Sequence, residues 1–239
     1  MRPFLTLFAI AAAAPCAAAP THVTLTAADG VQVAGDYYPA PHPKATVLLF
    51  HQAGSGKGEY TTIAPRLVAA GYSALAIDQR SGGSLFGRNE TVARLGRSTG
   101  YLDARADLDA ALAWGVARGA PVILWGSSYS SALVFLVAAA HPGQVKAVLA
   151  FSPGEYLEPT SVAKAAARVR APVFVTSAGD PGEIAAARTL LAASPAAVKR
   201  QYVPQAGVHG ASTLIPTRNA RGAAANWAAV LAFLKEVAG

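Results

Sequence analysis

The chain has 239 residues, 53% of them hydrophobic and only 14% charged. This excludes a disordered polymer, which pairs low hydrophobicity with high charge, and gives ample chain for one domain with a buried core. The net charge of +7 is not gathered into a dense Lys/Arg run, so nucleic acid is not an expected partner. The loose cluster of Arg80, Arg88, Arg94, Arg97 and Arg105 reads as a solvated loop.

Residues 1–20 place one Arg before an apolar run from Phe4 to Ala14 and then small residues, the layout of a secretory signal peptide. The run is shorter than the roughly 20 apolar residues of a membrane-spanning helix. The expectation is an exported protein, periplasmic or secreted, with no stable membrane insertion once the signal is removed. Cys16, the only cysteine, falls in this segment, so residues 21–239 carry no disulfide and no thiolate metal site.

From residue 21 the pattern is one domain without repeats or linkers. A hairpin turning at Asp29-Gly30 comes first. Short apolar runs follow as candidate buried parallel strands: 46–50, 73–78, 122–125, 145–151, 173–177 and 199–203. Helical stretches fall between them at 59–70, 102–118, 129–140, 183–193 and 221–237. Strands alternating with helices predict an α/β fold, a mostly parallel sheet of about eight strands with helices on both faces. Ligand sites in such sheets lie at the carboxyl ends of the strands.

The first of those ends reads His51-Gln-Ala-Gly-Ser-Gly-Lys-Gly58. It is not a nucleotide-phosphate loop. His51 stands where the first Gly is required, and Gly58 where the magnesium-binding hydroxyl should follow the Lys.

The decisive motif is the strand Val122–Trp125 running into Gly126-Ser127-Ser128-Tyr129-Ser130 and then a helix. Gly-x-Ser-x-Ser is a variant of the Gly-x-Ser-x-Gly nucleophile elbow, whose sharp reversal needs small residues on both sides of the serine. A serine at a helix N-terminus also serves as a plain cap, but here the partners of a nucleophile follow. Ala178-Gly-Asp180 ends one later strand and Gly207-Val-His209 ends another. The order Ser128, Asp180, His209 is that of a nucleophile, an orienting acid and a general base. Glu155 and Glu158 are the alternative acids. Asp78 precedes the serine and is expected to pair with Arg80. Backbone N–H groups of Tyr129 and of Ala53, with Gln52 as the alternative, are the expected oxyanion donors.

With these motifs in place, the chain resembles the α/β-hydrolase superfamily over residues 22–239. The resemblance rests on the His51–Gly54 loop, the Asp78–Gly83 turn, the Gly126–Ser130 elbow, His141-Pro142, Ala178–Asp180 and Gly207–His209. It is to the small esterase and dienelactone-hydrolase-like types, with serine at 128 where a dienelactone hydrolase carries cysteine. The resemblance implies hydrolysis of carboxylic esters, including lipid esters, through an acyl-enzyme. It implies no metal, organic cofactor or partner protein. Acyl transfer, lipid or peptide cleavage on the same triad, and ligand binding without chemistry are the competing functions. The stretch from Ser152 to Pro172 is too short for a large lid. Residues 81–100 are long for a connection and are expected to border the site, with Leu85, Phe86 or Tyr101 facing substrate.

Overall fold

The computed structural model describes residues 19–239. All but the end of the expected signal segment, Cys16 included, lies outside the described residues. Eight strands form one sheet: β1 (Thr21–Thr26), β2 (Gln32–Tyr38), β3 (Thr46–Phe50), β4 (Ser73–Ile77), β5 (Val122–Ser127), β6 (Val145–Phe151), β7 (Val173–Thr176) and β8 (Lys199–Tyr202). Their spatial order is β1-β2-β4-β3-β5-β6-β7-β8. The β1–β2 hairpin is antiparallel, β2 meets β4 antiparallel, and every later pairing is parallel. The helices are α1 (Ile63–Ala69), α2 (Glu90–Leu95), α3 (Arg105–Val116), α4 (Tyr129–Ala140), α5 (Val162–Ala166), α6 (Pro181–Ala193) and α7 (Ala223–Ala238). The expected α/β-hydrolase fold is borne out.

The strand alternation explains the two cores. On β3, Leu48 and Phe50 pack with Leu108, Leu112 and Leu133 of α3 and α4. Val47 and Leu49, pointing the other way, pack with Ile63, Leu67 and Trp227 of α1 and α7. Helix α4 is apolar nearly all round and is buried along most of its length. It is the central prop beneath the site.

The structure refines several expectations. The helix expected at 59–70 is a 3-10 turn, Lys57–Tyr60, followed by α1. Strand β8 is not buried as expected: it is the sheet edge, and its charged start, Lys199-Arg200, is exposed. Asp78 does not pair with Arg80. It accepts the N–H groups of Lys57 (2.7 Å) and Glu90 (2.8 Å). Arg80 is itself no solvated loop residue: it is buried between Asp107 of α3 and Asp29 of the hairpin turn. Among the described residues no helix is long and apolar enough to cross a membrane.

Candidate active site

Three strand ends converge on one hydroxyl. Ser128, between β5 and α4, holds φ 57° and ψ −124°, a conformation that L-residues rarely adopt and that costs on the order of 1–3 kcal/mol. The surroundings enforce it. The Ser128 N–H donates to Phe151 O at 2.8 Å, and the Ser131 N–H donates to Ser128 O at 2.8 Å. Gly126 has no room for a side chain, because a Cβ there would lie 2.3 Å from Ser130 O. The Ser128 side chain makes no cap bond to its helix. Its Oγ lies 2.8 Å from Nε2 of His209 instead.

The carboxylate on that histidine is Glu183, not Asp180. Nδ1 of His209 lies 2.8 Å from Glu183 Oε1, and the other oxygen, Oε2, accepts the Ala178 N–H at 3.0 Å. Asp180 is the N-cap of α6, its Oδ1 accepting the Glu183 N–H at 3.0 Å. The correction has a local cause. Asp180 has the extended backbone of a cap and its carboxylate turns onto the first helical turn, while Glu183, one turn on, faces back toward the histidine loop. Burial works against the Glu183 charge, but hydrogen bonds from His209, the Ala178 N–H and the Ser152 hydroxyl outweigh it and hold the carboxyl below its ordinary range. Of the alternative acids, Glu155 caps α5 through the N–H groups of Val162 (2.6 Å) and Ala163 (2.8 Å), and Glu158 is exposed.

The loop expected to hold an oxyanion follows β3. His51 is fully buried: its Nδ1 donates to Gln52 O at 2.8 Å, and its Nε2 accepts the Gln79 N–H at 3.0 Å. Burial pushes it down to about 4, so it is neutral. The Gln52 N–H is taken by Glu59 Oε2 at 2.9 Å. Among the described residues no hydrogen bond takes the N–H of Ala53 or of Tyr129. The Tyr129 ring is buried, its hydroxyl bound to Gln79 and Ser81, with Tyr101 stacked on it at 4.3 Å.

Residues 81–100 do border the site. They are tied to the oxyanion loop by the Gly83 N–H to Ser55 O (2.7 Å) and the Leu85 N–H to Gly54 O (2.9 Å). Leu85 and Tyr101 are exposed at this rim, while Phe86 is half-buried under the Arg218 guanidinium. A cleft of about 970 Å³ lies beside the histidine loop, lined by Gly207, Val208, Arg218 and Arg221 among others, and none of Ser128, Glu183 and His209 lines it.

The sequence reading missed Glu183 and Glu59. The first carried a signal, since Asp180-Pro-Gly-Glu183 has the acid-x-x-Glu spacing of a helix start. Glu59, an acid closing a Gly-Lys-Gly run, showed nothing to separate it from a surface residue.

The family model described as serine aminopeptidase, S33, matches residues 41–210, a span that includes Ser128, Glu183 and His209. The chain belongs to this serine-hydrolase family. No curated protein matches the sequence. Among solved structures it is similar to the dienelactone hydrolase of Anabaena variabilis, at 20% identity and TM-score 0.72 over 93% of this chain and 100% of that one. It is also similar to an esterase of Pyrococcus furiosus, at 18% identity and TM-score 0.70 over 92% and 93%. A thermostable carboxyl esterase of Bacillus coagulans matches at 12% identity and TM-score 0.70 over 93% and 100%.

Proposed function

We propose that this serine hydrolase cleaves carboxylic esters of small molecules. The observation that carries the reading is the relay Ser128 Oγ, His209 Nε2, His209 Nδ1, Glu183 Oε1, with 2.8 Å at each polar step. Ser128 attacks the ester carbonyl as His209 takes its proton. Glu183 fixes the imidazole tautomer and stabilises the imidazolium. The free N–H groups of Ala53 and Tyr129 receive the oxyanion. His209 then gives its proton to the leaving alcohol and activates water to release the acid. Glu183 replaces Asp180 as the orienting acid in this proposal.

The ester substrate is supported by the names of the similar structures, two esterases and a dienelactone hydrolase. The family description names an aminopeptidase, so aminoacyl amides belong in the same substrate panel. The signal-like sequence of residues 1–20 supports export, which N-terminal sequencing of secreted protein tests.

The reading is tested by labelling purified protein with a fluorophosphonate and measuring intact mass, beside Ser128→Ala. One adduct on the wild type and none on the variant is expected, with kcat for a short-chain ester lower in the variant by on the order of 10⁴-fold. A folded wild type that takes no adduct overturns the reading. Turnover of amides but not esters moves the activity to peptidase.

A further inference from the structure

One side chain that the relay does not use touches two of the catalytic loops and reaches the third through a single hydroxyl. Glu59 lies on the 3-10 turn after the oxyanion loop and is 1% exposed. Its Oε2 accepts the Gln52 N–H at 2.9 Å, in the oxyanion loop at the end of β3. Its Oε1 accepts the hydroxyl of Ser127 at 2.7 Å, the residue before the nucleophile at the end of β5. The Ser127 Oγ in turn accepts the Ala211 N–H at 2.8 Å, two residues past His209 in the loop after β8. That loop is packed hard on the same oxygen: a Cβ on Gly210, whose φ is +68°, would lie 2.5 Å from Ser127 Oγ.

We propose that Glu59 is a positioning residue for catalysis, its carboxyl clamping the oxyanion loop, the nucleophile elbow and the histidine loop in register with one another. The proposal rests on the serine-hydrolase reading of Ser128.

The chemistry of the side chain supports this. Burying a carboxyl is costly, and among the described residues no Lys, Arg or His forms an ion pair with Glu59. Burial accordingly raises it to about 7, against the pull of its hydrogen bonds from Gln52 and Ser127. An apolar residue would fill the space at less cost, but it would leave the Gln52 N–H and the Ser127 hydroxyl without partners. Two loops present donors to one point, and the two oxygens of the Glu59 carboxyl take one each. Holding the Gln52 N–H also fixes the start of the stretch that leaves the next amide, Ala53, free to meet the oxyanion. Catalytic groups need placement within about half an ångström. Here one clamp serves three loops that start from different strands.

A glutamine at 59 keeps the shape but replaces one acceptor with a donor, so one of the two loops loses its hold. Glu59→Gln is expected to lower kcat on a short-chain 4-nitrophenyl ester by on the order of 10²-fold, the effect of a displaced oxyanion donor. KM should stay within about threefold, because loop misplacement acts on the transition state rather than on ground-state binding. The rate of phosphonylation by a fluorophosphonate should fall in parallel. Ser127→Ala, which cuts the bridge to the histidine loop while leaving the Gln52 bond, should lower kcat by about tenfold, and it decides the matter if Glu59→Gln does not fold. A folded Glu59→Gln with wild-type kcat and labelling rate overturns the clamp alone, as does a Ser127→Ala of wild-type kcat. Wild-type protein that takes no label overturns the serine-hydrolase reading and the clamp with it.

Discussion

Glu183 and Asp180 are separated by a single helical turn, and their roles are separable by substitution. Asn caps a helix about as well as Asp, so Asp180→Asn should keep both stability and kcat/KM within about twofold. Glu183→Gln keeps the size of the side chain but removes the carboxylate that His209 Nδ1 meets at 2.8 Å. It should lower kcat by on the order of 10³-fold or more with KM little changed. The reverse pattern would return the acid's role to Asp180. The candidate nucleophile and base, Ser128 and His209, are legible in the sequence because each role needs a particular residue type in a small-residue turn, Gly126-Ser-Ser128 and Gly207-Val-His209. The acid was not, because either carboxylate satisfies the chemistry and the choice depends on a side-chain direction set by the helix start. Two buried groups beneath the site make a second prediction at this scale. Glu59 is raised from 4.5 to about 7 chiefly by burial, so the stability linked to its proton is complete below 4.5 and is lost as pH rises through 7. Burial lowers His51 from 6.5 to about 4, so the stability linked to its neutral ring is complete above 6.5 and is lost as pH falls through 4. Between pH 4.5 and 6.5 the two slopes oppose one another. Glu59→Gln should therefore lose stability on acidification more steeply than the wild type, by up to about 1.4 kcal/mol per pH unit, read from urea midpoints across the window. Parallel profiles would mean that Glu59 is already ionised throughout it.

The segment between β4 and α3 shows what an element owes to its tertiary neighbours. Its sequence reads as a Gly- and Arg-rich loop, yet it contains α2, whose N-cap Asn89 accepts the Val92 N–H at 2.8 Å. The same Asn89 donates its amide to Gln79 O at 2.9 Å and Ser55 O at 3.3 Å, stitching the segment to the oxyanion loop. Gly82 passes so close that a Cβ would lie 2.2 Å from the Asn89 amide and 2.3 Å from Ser55 O. Those contacts join residues far apart in the chain, so no local periodicity announces them. The position of the segment beside the site could be expected from its length alone. Arg80, at the root of the segment, joins it to the hairpin and to α3. The nearest acid in sequence, Asp78, made the obvious partner, but Asp78 accepts backbone N–H groups. Arg80 instead donates to Asp107, which is fully buried and held between the raising effect of burial and the lowering effect of the guanidinium, with burial prevailing. Arg80→Ala leaves that carboxyl buried without its cation. It should cost about 3–5 kcal/mol of unfolding free energy, measured by denaturant titration. Asp107→Asn in the same background should recover part of it. A loss below about 1 kcal/mol would show that water reaches Asp107 and that the pair is not a fold determinant.

At the scale of the molecule, the strands and their boundaries were largely legible, since Thr46–Phe50, Ser73–Ile77 and Val145–Phe151 are short apolar runs between turn residues. Their spatial order was not encoded in any one run. It follows from long-range pairing, in which β3 lies between β4 and β5 with Phe50 opposite both Ile77 and Gly126. That arrangement brings His51, Ser128, Ser152 and the loops of Glu183 and His209 to one end of the sheet. What covers them there is decided by the connection from β6 to β7. Residues 152–172 contain only α5, a five-residue helix whose start Glu155 pins, and the His209 side chain is 42% exposed. The rim carries isolated exposed apolar groups, Leu85, Tyr101 and Tyr156. A lipase closed by a lid gains rate when its substrate forms an interface that draws the lid open. An enzyme with Ser128 already accessible has no such step to be relieved. Hydrolysis of a short-chain triglyceride should rise smoothly with concentration and continue its saturation curve through the solubility limit, with no jump where droplets appear. Replacing residues 84–98 by a short linker should shift kcat/KM among esters of different acyl size, since it removes Leu85 from the rim, without introducing a jump. A sharp increase at the solubility limit in the wild type would mean that part of the 81–100 segment closes over Ser128 in solution. In that case its bonds to Gly54 and Ser55 break on opening, and the rim is a lid.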